Sequence, residues 1–150
     1  MRVVIQRVNE ARVEVNGDVV GQIQRGILAY VGIEQGDTEK EIRFMTDKIL
    51  NLRMFPDHAR RMNLSVLDVD GGILSVSQFT LASYIKKGRR PDFGNAEDPA
   101  KAEELYNLFN RVLSQEIHVE TGVFGAMMNI SSVNDGPVTF IIEKKYGDAG

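Results

Sequence analysis

Gly71-Gly72-Ile73-Leu74-Ser75-Val76-Ser77-Gln78-Phe79-Thr80-Leu81 is the most informative run in the chain. An apolar alternating segment that begins after a glycine turn signal predicts a strand, with successive side chains on opposite faces. One face would carry Ser75, Ser77, Phe79 and Leu81, and the other Leu74, Val76, Gln78 and Thr80. Buried hydroxyls and an amide each need a partner. The strand end therefore has two readings: a binding or catalytic edge, or core hydroxyls satisfied by the protein beside a loop.

Immediately upstream, Ser65 to Val69 predicts the partner of this strand, in a hairpin about Asp70-Gly71-Gly72. Downstream lies a loop, Ser83 to Asn95, in which Lys86, Lys87, Arg89 and Arg90 are gathered beside Tyr84 and Phe93. Such cations either clamp phosphates or solvate a surface loop.

Further out, Val3 to Val8 and Arg12 to Val15 predict strands. Asn16-Gly17 supplies a hairpin turn into Val19-Val20, and Gly26 to Ile33 is apolar enough for a central strand covered on both faces. Thr38 and Glu41 have capping-box spacing ahead of a helix whose buried stripe is Ile42, Met45, Ile49 and Leu52. Asp98 as N-cap and Pro99 at the first helical position open a second helix with the stripe Ala102, Leu105, Phe109, Val112 and Leu113. Met127 to Val133 and Val138 to Glu143 predict two strands joined through Asn134-Asp135-Gly136-Pro137. The expected architecture is one α+β domain over residues 1–150, with mainly antiparallel pairing and two principal helices.

Composition narrows the chemistry. A chain of 150 residues with 26% charged and 43% hydrophobic residues suits one globular domain. No apolar run approaches the roughly 20 residues a bilayer span needs, and the N-terminus lacks a signal-peptide pattern, so a cytoplasmic protein is expected. Without cysteine there is no thiolate nucleophile, disulfide or Cys-based zinc site. A net charge of −3 argues against a general nucleic-acid coat, so any RNA contact must use a local basic patch. His58 and His118 sit in no metal-binding pattern, and each is read as exposed or structural. Ser77 and Thr80 have no activating base nearby in sequence, and no nucleophile elbow, Walker or dinucleotide glycine motif is present. Gly136-Pro137 in isolation reads as an ordinary turn.

Gln6-Arg7-Val8, Gly26 to Ile33, Met62-Asn63, Ser77-Gln78-Phe79-Thr80-Leu81, Gly88 to Pro91, Thr121-Gly122-Val123-Phe124-Gly125 and Asn134-Asp135-Gly136-Pro137-Val138-Thr139 follow one another as in the D-aminoacyl-tRNA deacylase (D-tyrosyl-tRNA deacylase) family. The chain resembles that family over essentially its whole length. The resemblance implies a barrel-like fold working as a homodimer, and hydrolysis of the ester between a D-amino acid, or glycine, and the terminal adenosine of tRNA. It places Ser77, Gln78, Phe79 and Thr80 at the ester, with the Phe79 and Thr80 N–H groups as an oxyanion hole and the ribose 2′-OH assisting water. It makes Gly136 and Pro137 a cis, cross-subunit filter that excludes L-aminoacyl-tRNA, with Arg7 as its brace. Lys86, Lys87, Arg89 and Arg90 become candidates for tRNA phosphates. No cofactor, metal, membrane or DNA is implied. Met127 stands where the family often has an acidic residue. A different class, a catalytically silent RNA- or nucleotide-binding dimer on the same fold, is the alternative.

Overall fold

The computed structural model describes residues 1–145, 147 and 148. Its first strand, β1, is a single element over Arg2–Val15 where alternation predicted two. The buried positions run Val3, Ile5 and Arg7, then change phase to Val8, Ala11 and Val13. Register shifts against the last strand between Gln6 and Glu10 absorb that change, so the ladder continues through it. β2 (Asp18–Ile23) folds back on the far half of β1 through Asn16 and Gly17, whose φ values of 50° and 84° match the left-handed two-residue turn. β3 (Gly26–Gly32) pairs antiparallel with the near half.

The helices follow their sequence signals. α1 spans Glu39–Asn51, and its Thr38–Glu41 capping box is formed on both sides. α2 spans Pro99–Ser114, with the Asp98 carboxylate accepting from Ala100 and Lys101 N–H. Its stripe gains Tyr106, which is buried and donates its hydroxyl to the Ser75 carbonyl at 2.8 Å.

Two short strands, β4 (Phe55–Pro56) and β5 (Met62–Leu64), pair with each other. The expected hairpin about Asp70 does not form. Ser65 and Asp68 exchange side-chain and backbone hydrogen bonds, at 2.8 and 3.1 Å, and turn bonds such as Gly71 N–H to the Val66 carbonyl coil the segment. β6 (Gly72–Ser77) instead pairs parallel with β3, and β7 (His118–Thr121) pairs parallel with β6. The sheet is therefore mixed: its three antiparallel ladders all run along β1, and β6 adds a parallel ladder on either side. Parallel neighbours need long crossovers, and α1 and α2 lie in the two connections that provide them.

β8 (Asn129–Glu143) lies antiparallel along β1 and completes the sheet. At the other side β2 curls over β7, giving a nearly closed barrel. A Cβ on Gly21 would stand 2.5 Å from the Thr121 carbonyl oxygen, so only glycine permits that approach.

Two cores result. Ile5, Ile27, Ala29 and Val31 meet Ile42, Met45 and Phe109 beneath the helices. Val8, Leu28, Leu74 and Val76 fill the barrel. β3 serves both, which is why its sequence is apolar throughout. Among the described residues no helix is long and apolar enough to cross a membrane.

Candidate active-site cleft

β6 ends at Ser77, opposite Val31, because β3 is almost exhausted there. Gln78 still donates its N–H to the Val31 carbonyl at 2.8 Å, with φ −140° and ψ 81° turning the chain. With no further partner strand, Phe79–Ala82 winds into a 3₁₀ turn rather than extending the strand. The predicted alternation of faces therefore stops at Ser77, and Phe79 and Thr80 are both exposed. The first N–H groups of such a turn have no partner within it. Among the described residues, those of Phe79 and Thr80 donate to no backbone or side-chain acceptor.

Phe79 edges a cleft of about 640 Å³, and Thr80 lies just outside its lining. Ser77, Gln78 and Phe79 form one side, with Phe93, Phe124 and Met127 among the other walls. The lining is apolar with few polar groups, as in small-molecule sites. Phe79 and Phe93 are stacked obliquely, 5.1 Å between centroids. Gln78 donates its side-chain amide to the Thr80 hydroxyl oxygen at 2.6 Å. Neither the Ser77 nor the Thr80 hydroxyl meets a histidine or carboxylate among the described residues, and no three metal-ligating side chains converge there.

Glu97 is the one ionisable group in the lining, and the sequence reading overlooked it. Its carboxylate accepts from the Asp98 N–H at 2.9 Å and the Gly36 N–H at 3.4 Å, and pairs with Lys101 at 3.2 Å. The Asp98 bond leads in holding its pKa below the usual range, against a smaller effect of burial. A carboxylate so engaged is a poor proton acceptor. Its place just before the N-cap Asp98 was the available signal.

Gly136 and Pro137 lie elsewhere in the same chain. Ile27 stands opposite Arg7 on β3, four positions from Val31, which puts roughly 13 Å of strand between the two sites. The segment is not a turn between two strands. It is an outward bulge within β8, where the pairing jumps from Val8–Asn134 to Gln6–Thr139. The Gly136–Pro137 bond is cis, and both residues are exposed. Gly136 has φ +130°, and a Cβ there would meet Val138 Cγ2 at 2.7 Å. Arg7 is buried beneath, bonding the Asp135 carbonyl and the Met54 carbonyl, the latter at 2.8 Å.

Lys86, Lys87, Arg89 and Arg90 occupy a loop whose ends are tied by paired Tyr84–Asp92 backbone bonds of 2.7 and 2.9 Å. Lys86 lines a smaller cleft beside the first. His58 and His118 are exposed and outside the site.

Residues 4–143 match the family model of D-Tyr-tRNA(Tyr) deacylase. Proteins named D-aminoacyl-tRNA deacylase from Bacillus thuringiensis (strain Al Hakam) and Bacillus cereus (strain AH187) are 56% identical over 97% of the chain and all of their own length. A solved structure titled c-Myc DNA Unwinding Element Binding Protein superposes with a TM-score of 0.92 at 42% identity, covering 97% of this chain and 99% of that one. The structure of a probable eukaryotic D-amino acid tRNA deacylase shares the fold, with a TM-score of 0.77 at 19% identity over 94% and 97% of the two chains.

Proposed function

The chain belongs to the D-Tyr-tRNA(Tyr) deacylase family and is a tRNA-editing ester hydrolase, and on that premise we propose how its cleft works. The substrate is D-aminoacyl-tRNA, and also glycine mischarged on a noncognate tRNA. Its terminal adenosine and aminoacyl group enter the cleft beside Ser77-Gln78-Phe79-Thr80. Water attacks the ester carbonyl carbon, the bond to the ribose 3′ oxygen breaks, and that oxygen leaves with a proton. Free amino acid and uncharged tRNA are the products.

The observation that carries this reading is a pair of successive N–H groups, at Phe79 and Thr80, with no acceptor among the described residues, the first of them on a residue that lines the apolar cleft. Donors held in place for a developing oxyanion are worth about 3 kcal/mol each in the transition state. The ribose 2′-OH assists the water. What supports this is that the one ionisable group in the cleft lining among the described residues, Glu97, is already engaged by hydrogen bonds that hold it ionised. No step is routed through a metal or cofactor.

L-aminoacyl-tRNA is rejected by Gly136 and Pro137 of a second copy, which enter the cleft and hold the substrate's α-ammonium with main-chain carbonyls. Arg7 braces that segment from below. Two features support a homodimer. The bulge is exposed and far from its own chain's Ser77, and among the described residues β8 is paired with β1 alone while exposing Val133, Phe140 and Ile141. The cationic loop holding Lys86, Lys87, Arg89 and Arg90 faces the RNA. The working place is the cytoplasm, with tRNA and a second copy as partners, and neither membrane nor DNA.

Incubation with D-Tyr-tRNA and L-Tyr-tRNA tests the reading. Hydrolysis of the D ester alone is expected; equal rates, or no hydrolysis of the D form, would end it. The relative titled as a DNA-unwinding-element binding protein favours a second reading, a nucleic-acid-binding dimer without catalysis. Retention of uncharged tRNA or single-stranded DNA with no ester cleavage would select that one.

A further inference from the structure

A second cleft, of about 240 Å³, lies against the back of the Phe79–Ala82 turn. It shares two walls with the larger cleft. Phe79 faces the first while Leu81 and Ala82 face the second, and Phe93 and Ala96 face the first while Asn95 faces the second. Three cations reach it from separate parts of the chain: Arg2 at the start of β1, Lys86 in the loop, and Lys145 beyond β8. Convergence across such sequence distances is a product of the fold, unlike the local run Lys87, Arg89 and Arg90 at the loop tip.

The cleft's acid, Glu34, meets the Met1 ammonium at 3.4 Å, a charge it shares with Asp37 at 2.8 Å, so three cations face one partly offset carboxylate in the lining. Arg2 bonds the Leu81 carbonyl at 3.3 Å and Glu143 at 2.7 Å, so it joins the dividing wall to the end of β8. Its Nε is buried and has no acceptor among the described residues. The ridge between the clefts is aromatic and open to solvent: Phe79 is 58% exposed, Phe93 41% and Tyr84 48%. Lys86 Nζ stands 6.0 Å from the centre of the Tyr84 ring. Flat exposed rings beside a cationic groove are the features that hold unpaired nucleotides, with bases on the rings and phosphates on the cations.

We infer that the single-stranded tRNA 3′ end crosses this ridge, and that a phosphate preceding the terminal adenosine rests among Arg2, Lys86 and Lys145. Tyr84 and Phe93 offer faces to the bases that accompany it. The inference rests on the deacylase reading, because the terminal ester must occupy the larger cleft. It also divides the loop's cations: Lys86 holds RNA, while the tip cations act only at long range.

The experiment compares D-Tyr-tRNA with D-tyrosyl-adenosine, an ester that has the terminal nucleoside but no preceding phosphate. Wild type is set against Lys86→Ala/Lys145→Ala and against the tip variant Lys87→Ala/Arg89→Ala/Arg90→Ala. For the cleft variant the expected result is a KM for the tRNA raised about tenfold with kcat retained. The salt dependence of its binding should fall by about one unit in slope. Its kinetics on the nucleoside ester should equal wild type. An unchanged KM for tRNA, equal losses on both substrates, or a tip variant as damaging as the cleft variant would each overturn the assignment. Failure of wild type to hydrolyse either ester would instead remove the deacylase reading beneath it.

Discussion

Arg7 and Asp135 are joined twice, with the guanidinium Nε 3.3 Å from the Asp135 carbonyl oxygen and 3.1 Å from its carboxylate. Together with the bond to the Met54 carbonyl, these contacts tie the β8 bulge to β1 and to the segment after α1. Arg7→Ala leaves a buried carbonyl unpaired, at a cost of about 1–3 kcal/mol. Thermal unfolding should show that loss, and the ratio of D-ester to L-ester hydrolysis should fall with it. Arg7→Lys should recover only part of both, because an ammonium cannot reproduce the guanidinium fork.

Gly136→Ala should damage the bulge directly. The added Cβ would lie 2.7 Å from Val138 Cγ2 and 3.2 Å from an Arg7 nitrogen, at a φ of +130° that L residues rarely adopt. A destabilisation of about 1–3 kcal/mol is expected from the strained backbone alone. Chemical denaturation measures it, and an unchanged midpoint would contradict the geometry.

Glu97 separates a structural carboxylate from a catalytic one. Glu97→Gln should keep kcat within about threefold with the shape of the pH–rate profile intact, whereas loss of a general base costs about 10²–10⁴-fold. The variant should differ in stability. The folded pKa of Glu97 is depressed, so its stabilisation is present above the ordinary glutamate pKa and disappears as pH falls through the folded value. Stability measured from neutral to acid pH should therefore decline less steeply in Glu97→Gln than in wild type.

Thr80 accepts the Gln78 amide at 2.6 Å, and the N–H proposed for the oxyanion belongs to its main chain, which a side-chain change leaves in place. Thr80→Ala should retain D-ester hydrolysis within about tenfold, while a substrate ending in 2′-deoxyadenosine should lose far more, the scale being that of a missing general catalyst. The opposite pattern would make the Thr80 hydroxyl the nucleophile.

Ile141 is 66% exposed on β8, next to Phe140. Ile141→Asp should turn a species of twice the chain mass into single chains in sedimentation, because a charge buried at an interface without a partner is strongly unfavourable. Chiral discrimination should fail in step with the dimer. A wild-type protein that sediments as single chains would remove the cross-subunit filter.

The sequence by itself determined the elements whose signals are local. The Asn16-Gly17 turn, the Thr38–Glu41 box and the Asp98-Pro99 start each depend on neighbours within four residues, and each appears where it was expected. What lay beyond reach depended on partners distant in sequence. Whether β6 pairs with Ser65–Val69 or with β3 is settled by the helical crossovers that cover the sheet. Alternation alone is the same in either case. The 3₁₀ turn at Phe79 arises because β3 runs out, and the Asn134–Pro137 bulge because one residue of β1 faces several of β8. Tertiary structure also brought Glu97 into the cleft and set Arg2, Lys86 and Lys145 around one groove. Local chemistry is written in adjacent residues, but convergence is a property of the packed chain, in which burial and hydrogen-bond supply are decided by whatever lies alongside.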